Sequence, residues 1–195
     1  MTQLSKHVPV VYGDNTQQPG VRVYIGPTDP ISDLPVTVDL AHHQLHEGET
    51  HQYTYPPAAL SSGSSVDVLF VVGNLVATKR TPHFVIELDA AAETWLYLYE
   101  SPTTSGNGTL QTVYNRNRNS ATVPASTVYL SPTVSDPGML LSAWLVGAGK
   151  KVGGASRESI EWDLRANTVY LIRATANATG NNVAMRLMWY EDLGV

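Results

Sequence analysis

From Ser65 onward the chain is cut by turn-formers at intervals of about ten residues, and the stretches between them are too short for ordinary helices. The cuts are Ser105-Gly106-Asn107-Gly108, Asp136-Pro137-Gly138, Gly147-Ala148-Gly149, Gly153-Gly154 and Gly180-Asn181-Asn182, all built from residues that reach tight-turn geometry at low cost. Between them lie β-branched and aromatic runs. Phe84, Ile86 and Leu88 alternate with Val85 and Glu87, as a half-buried strand requires. In the next run Trp95, Tyr97 and Tyr99 share one side and Leu96 and Leu98 the other, so both sides should meet apolar material. Val66 to Val72, Gln111 to Tyr114, Thr127 to Leu130, Met139 to Val146, Ser159 to Leu164, Thr168 to Ala176 and Asn182 to Glu191 complete the expected strands. About eight or nine strands at this spacing predict an all-β sandwich, with a jelly roll as the natural closure. Hydrophobic residues make up 43% of the 195, enough to fill such a core.

The first sixty residues read differently. Pro9, Pro19, Pro27, Pro30, Pro35, Pro56 and Pro57 remove backbone donors and fix φ, which interrupts ladders. The expected division is an extended arm over 1–60 and a jelly-roll-like β-sandwich over 61–195. Within the arm, Val8 to Tyr12, Val21 to Ile25 and Val36 to Leu40 are short strands able to add to a sheet edge. Pro57 to Ser61 reads as one helical turn and Leu164 to Asn167 as a hairpin bend. No amphipathic helix and no internal repeat is evident.

Composition removes several functions. Twelve Lys and Arg against 17 Asp and Glu give a net charge of −5, which lacks the field that draws a protein onto phosphate backbones, so nucleic acid is not an expected partner. With no cysteine, disulfides, thiolate metal sites and thiol nucleophiles are excluded. No apolar run approaches the length of a membrane span and no export signal opens the chain, so synthesis in a reducing cytoplasm without a membrane partner is expected.

Four of the six histidines fall between His42 and His51, beside Glu47 and Glu49. Imidazole and carboxylate are the ligands of zinc, nickel or iron, which makes His42, His46 and His51 weak metal candidates. A helix would put His42 and His46 on one face, but Gly48 and β-prone neighbours argue against a helix, so a polar arm or interface segment is the leading expectation. Gly147 to Gly154 lacks both the Ser or Thr and the following helix of a phosphate loop, and reads as a surface loop. Asn115-Arg116-Asn117-Arg118-Asn119 sets two guanidinium forks on one side of an extended segment, suited to an interface or an intrachain polar network. Asp89, Glu100, Glu161 and Glu191 offer no evident glycosidase pair. Trp95, Trp144, Trp162 and Trp189 suggest either a sugar platform or, more simply, core. No residue set satisfies the mutual geometry of a catalytic site, so neither an enzyme nor a cofactor is expected.

The segments Leu45-His46-Glu47-Gly48, Trp95 to Thr104, Thr112 to Ser120, Asn167 to Arg173 and Met188-Trp189-Tyr190-Glu191, in this order, resemble a set of tailed-bacteriophage virion proteins. Asn115 to Ser120, preceded by Tyr114, is the most specific block, and Ser101 departs from the pattern, which usually has Gly there. The resemblance implies a capsid decoration or cement protein with a jelly-roll body, a homotrimer bound to the major capsid protein on the outer surface of the virion. A neck, tail or fibre-associated protein and a carbohydrate-binding module for host attachment are the alternatives. Contacts with the capsid or between subunits are expected at Tyr12, Tyr24, His43, His46, Glu47, Arg116 and Arg118.

Overall fold

A computed structural model describes residues 40–73, 81–147 and 161–191, and the side chains from residue 43. Among these the chain forms α1 (Leu40–Glu47), β1 (Thr50–Leu60), β2 (Ser65–Val71), β3 (His83–Ala90), β4 (Thr94–Glu100), β5 (Thr103–Gly106) and β6 (Thr109–Leu110). β7 (Tyr114–Asn115), β8 (Thr127–Leu130), β9 (Thr133–Asp136), β10 (Met139–Val146), β11 (Trp162–Asp163), β12 (Val169–Ala176) and β13 (Asn181–Tyr190) follow. Two large antiparallel sheets pack together, with strand orders β11-β3-β13-β1-β7 and β10-β4-β12-β2-β8-β6.

The pairing is that of a chain wrapped on itself. β1 pairs with β13, β2 with β12, β3 with β11 and β4 with β10, so first meets last and each later strand meets the matching earlier one. Those eight strands form the jelly roll expected from the spacing. Residues 101–138 are an insertion between its fourth and fifth strands; they add β7 to one sheet and β8 and β6 to the other.

The alternation expected in β3 and β4 holds. Phe84, Ile86, Leu88, Leu96 and Leu98 are buried in the core between the sheets, while Trp95, Tyr97 and Tyr99 stand half-buried on the outward side of β4. At the centre, Phe70 contacts Phe84 at 4.6 Å and meets Trp189 edge-on at 4.8 Å between ring centroids, joining the two sheets through offset aromatic contacts.

Three sequence expectations are corrected. β1 lies between β13 and β7, so the sandwich begins before residue 61, and a compact unit extends over Ala41–Val195. Pro56 and Pro57 misled because they fall at the register shift between Tyr55 and Ala58, a bulge where ladder donors are not needed. For the same reason Pro57 to Leu60 is strand, not a helical turn. Leu40–Glu47 is a helix even though Gly48 argued against one, because Gly48 sits just past its end at φ +79°. There Gly48 N–H donates to the Leu45 carbonyl (3.3 Å) and Glu49 N–H to that of Gln44 (3.0 Å), the paired bonds of a glycine-terminated helix.

The third correction is an internal repeat. Tyr99-Glu100-Ser101-Pro102-Thr103-Thr104-Ser105 and Tyr129-Leu130-Ser131-Pro132-Thr133-Val134-Ser135 match at five of seven positions, each with a glycine three residues later, Gly108 and Gly138. The backbone repeats too. Ser101 and Ser131 have φ of 57° and 56°, and Gly108 and Gly138 have 86° and 84°. A Cβ on Gly108 would overlap the Leu130 carbonyl and one on Gly138 the Glu100 carbonyl, so each copy packs its glycine against the start of the other.

The sheet order explains this. β4 lies next to the β10 edge but continues to β6 on the far edge, and β8 lies next to the β6 edge but continues to β10. Both connections must cross one face of the sheet, and the inner face is filled by the other sheet. They therefore cross outside and pair there as β5–β9. Leu69 and Leu171, outside the cluster between the sheets, are nevertheless fully buried on the outward side of β2 and β12.

Candidate functional site

Two surfaces collect the distinctive residues of the sequence, and they are chemically opposite. The first is a polar corner where the end of α1, the start of β1, the segment 114–126 and the end of β13 meet. The asparagines of Asn115 to Asn119 build it. Asn115 Nδ2 donates to the Gly48 carbonyl (2.5 Å) and the Thr122 carbonyl (3.1 Å), while its Oδ1 accepts from Asn117 N–H (2.9 Å). Asn117 Nδ2 donates to the His46 carbonyl (2.9 Å) and its Oδ1 accepts from Asn119 N–H (3.1 Å). The segment is thus a series of side-chain-stabilised turns, not the extended run expected from its sequence. Its network is intrachain: asparagines point in and tie down the helix end.

Arg118 Nη1 donates to the Asn115 carbonyl (3.4 Å), within the same segment. Arg116 is half-buried, and its backbone N–H donates to the Thr50 carbonyl (2.8 Å). Arg118 is exposed, with its guanidinium 5.5 Å from the ring centre of Tyr114, which is itself 55% exposed. His43 is half-buried, and His46 and Glu47 are exposed at the end of α1. These five candidates border the corner; Tyr12 and Tyr24 lie outside the described residues.

His51 is fully buried in β1, its ring 6.0 Å from that of Trp189, while His46 faces solvent. The backbone of His42 lies in α1, one turn before His46. Among the described residues no three His, Asp or Glu side chains are grouped as metal ligands would be.

Glu191 is the corner residue least visible in the sequence. Its fully buried carboxylate accepts from Ala125 N–H (2.6 Å), Ser126 N–H (3.0 Å) and Trp189 Nε1 (3.1 Å). It fastens the approach to β8 onto the end of β13. The other candidate carboxylates have separate partners. Glu100 accepts from Tyr170 OH (3.2 Å) and pairs with Arg165 (3.6 Å), Asp89 pairs with Arg186 (3.4 Å) and Glu161 with His83 (3.1 Å).

The second surface is an apolar strip on the outward side of β4 and β10. Trp95 stacks on Tyr97 at 6.0 Å, and Tyr97 follows Tyr99 at 5.8 Å. Beside them β10 turns Leu140 (52%), opposite Tyr99, and Leu145 (44%), opposite Trp95, to the same side, whereas Met139 (59%) stands opposite Glu100 on the other side. The four tryptophans do not form one platform: Trp189 is core, Trp144 and Trp162 pack against it, and Trp95 alone belongs to the strip. On the neighbouring strands Arg173 is neutralised by Asp67 through two hydrogen bonds of 2.7 and 2.6 Å, which raise its pKa above the ordinary arginine value. Burial pushes the Tyr99 phenol up, an effect that nearby Arg173 opposes.

No family model matches the chain, and no curated protein or solved structure is significantly similar to it. Among the described residues, no helix is long and apolar enough to cross a membrane.

Proposed function

We propose that this chain is a non-enzymatic structural protein of a tailed-phage virion, a decoration protein that binds the major capsid protein on the outside of the head as a homotrimer. The observation supporting this reading is the use made of the resembling segments. Gly48, Asn115, Asn117, Trp189 and Glu191 all hold one corner of the body together, and Glu100 and Tyr170 join β4 to β12. Polar side chains that an enzyme would turn towards a substrate are here turned towards the backbone, which suits a part whose work is to be rigid and to cover surface.

The mechanism is linkage. A protein that binds only the assembled lattice adds its binding free energy to that lattice and to no other state. Three attachment points on one trimer slow dissociation without any single contact being strong. Residues up to Asp39 are assigned the anchoring role, and the body the bridging role.

The test is to add the purified protein to expanded shells that lack it and to follow cosedimentation and the temperature at which the shells break. Binding at fixed stoichiometry with a raised breaking temperature is the expected result. Protein that stays in the supernatant would overturn the reading. A chain beginning at Leu40 keeps every described strand and is expected to fold but not to bind.

A further inference from the structure

The repeat provides an internal control for what the fold itself needs. β6 and β10 are equivalent strands that follow the two crossing segments, with Leu110 standing where Leu140 stands thirty residues later. β6 needs two residues to finish its crossover, whereas β10 has eight. On β4 the outward positions hold Trp95 and Tyr97, while the matching positions before and in β8 hold Ala125 and Thr127. The apolar strip is therefore the part of this sheet with no counterpart in the other half, and closing the crossover does not require it.

β10 is also an edge strand, paired among the described residues with β4 alone. Its sequence, Met139 to Val146, has no charge and no proline to blunt an open edge, and its irregularity among the described residues is the register shift between Leu140 and Ser142. A large exposed apolar patch on a sheet edge marks an interaction site. Charge decides which partner fits. Residues near a rotation axis face their own copies, so like charge at that place works against self-association. The chain carries −5 overall, and two copies repel wherever their charged surfaces meet. On the strands beside the strip, Arg173 and Asp67 cancel one another.

We propose that the β10–β4 strip is the surface through which copies of this chain associate, with Trp95, Tyr97, Leu140 and Leu145 buried at the contact. Aromatic side chains are enriched at such contacts, and a few buried Trp and Tyr anchors supply most of their energy.

The experiment is the solution mass of the full chain by light scattering on a sizing column over a range of loading concentrations. Wild type is expected at a multiple of 21.1 kDa. The double variant Leu140→Glu/Leu145→Glu is expected at the monomer mass with an unchanged circular dichroism spectrum, and Leu110→Glu at the wild-type mass. Should the double variant fail to fold, Leu140→Ser/Leu145→Ser takes its place, with the dissociation midpoint expected at a concentration at least tenfold higher. A wild type that is monomeric throughout, a strip variant that keeps the oligomer, or a Leu110 variant that dissociates equally would overturn the inference. This inference deepens the homotrimer part of the proposed reading and does not rest on its shell-binding part: an oligomer that ignores shells keeps the one and removes the other.

Discussion

The polar corner and the apolar strip are built from the two most distinctive parts of the sequence, yet they use them in opposite directions. At the corner, polar groups are turned inwards and consumed: Asn115, Asn117 and Glu191 spend their hydrogen-bonding capacity on backbone groups of other segments. On the strip, apolar groups are turned outwards and left in solvent. Distinctive residues therefore divide into those that specify the body and those left over once the body is specified. The second group is where contacts with other molecules should be sought.

Substitutions can break this contrast. The largest effect is expected for Glu191→Ala, which strands two backbone donors and the Trp189 indole in the interior. A loss of about 3 kcal/mol or more is expected, read as a melting temperature lower by roughly 6–12 °C. Gly48→Ala comes next at roughly 1–3 kcal/mol, because alanine is strained at φ +79° and its Cβ would overlap Ser120 Oγ. Adding Ser120→Gly should restore the steric part of that loss in a thermal melt and leave the backbone part.

A smaller change of opposite sign is expected at the crossover. Ser101→Gly relieves a left-handed residue at a cost in unfolded-chain entropy, for a net gain of about 0.5–1 kcal/mol in denaturant titration. An unchanged or lower midpoint would show that Ser101 is not strained. The smallest effect is expected on the strip, where Leu145→Ser should move folding stability by less than about 0.5 kcal/mol, whatever it does to association.

Alkaline pH tests the body as a whole. Burial raises the phenols of Tyr53, Tyr99 and Tyr170 above the ordinary 10.0, with a hydrogen bond from Arg165 N–H opposing it at Tyr170. Folding therefore favours the protonated phenol. That stability is fully present below pH 10 and is lost as pH rises from there through the folded-state values. A melting temperature that falls above pH 10, together with tyrosine absorbance that titrates late in the folded protein, is the expected result.

Most of the fold was legible in the sequence because alternation and turn spacing follow from the pleat and from Gly, Pro and Asn, without reference to distant contacts. Phe84 to Leu88 and Trp95 to Tyr99 are the clearest cases. The failures have local causes. Gly48 reads as a breaker, yet the same residue completes a helix when it stands one position past its end. Pro56 and Pro57 read as arm until a bulge gives them a place in a central strand. The repeat was hidden because it is short and most of its matching residues are Ser, Pro, Thr and Gly, which look like ordinary loop composition. Of the corner, the Asn-Arg alternation was visible but its direction was not: which residue type faces inwards depends on Gly48 and His46, about seventy residues away. Glu191 had little local signal, since only Trp189 among its donors is near in sequence and the other two, Ala125 and Ser126, are about sixty-five residues away.

The crossed ribbon has a consequence for lifetime. β5 and β9 lie over a sheet that holds β4 and β8, and their pairing is expected to follow that sheet in folding, to be read as φ-values near zero at Thr104 and Thr133. Contacts made after the rate-limiting step leave the folding rate almost untouched and govern how fast the finished molecule comes apart. For a body closed in this order, persistence would be set by the unfolding barrier more than by the equilibrium, and a weakened ribbon would shorten its lifetime without slowing its folding.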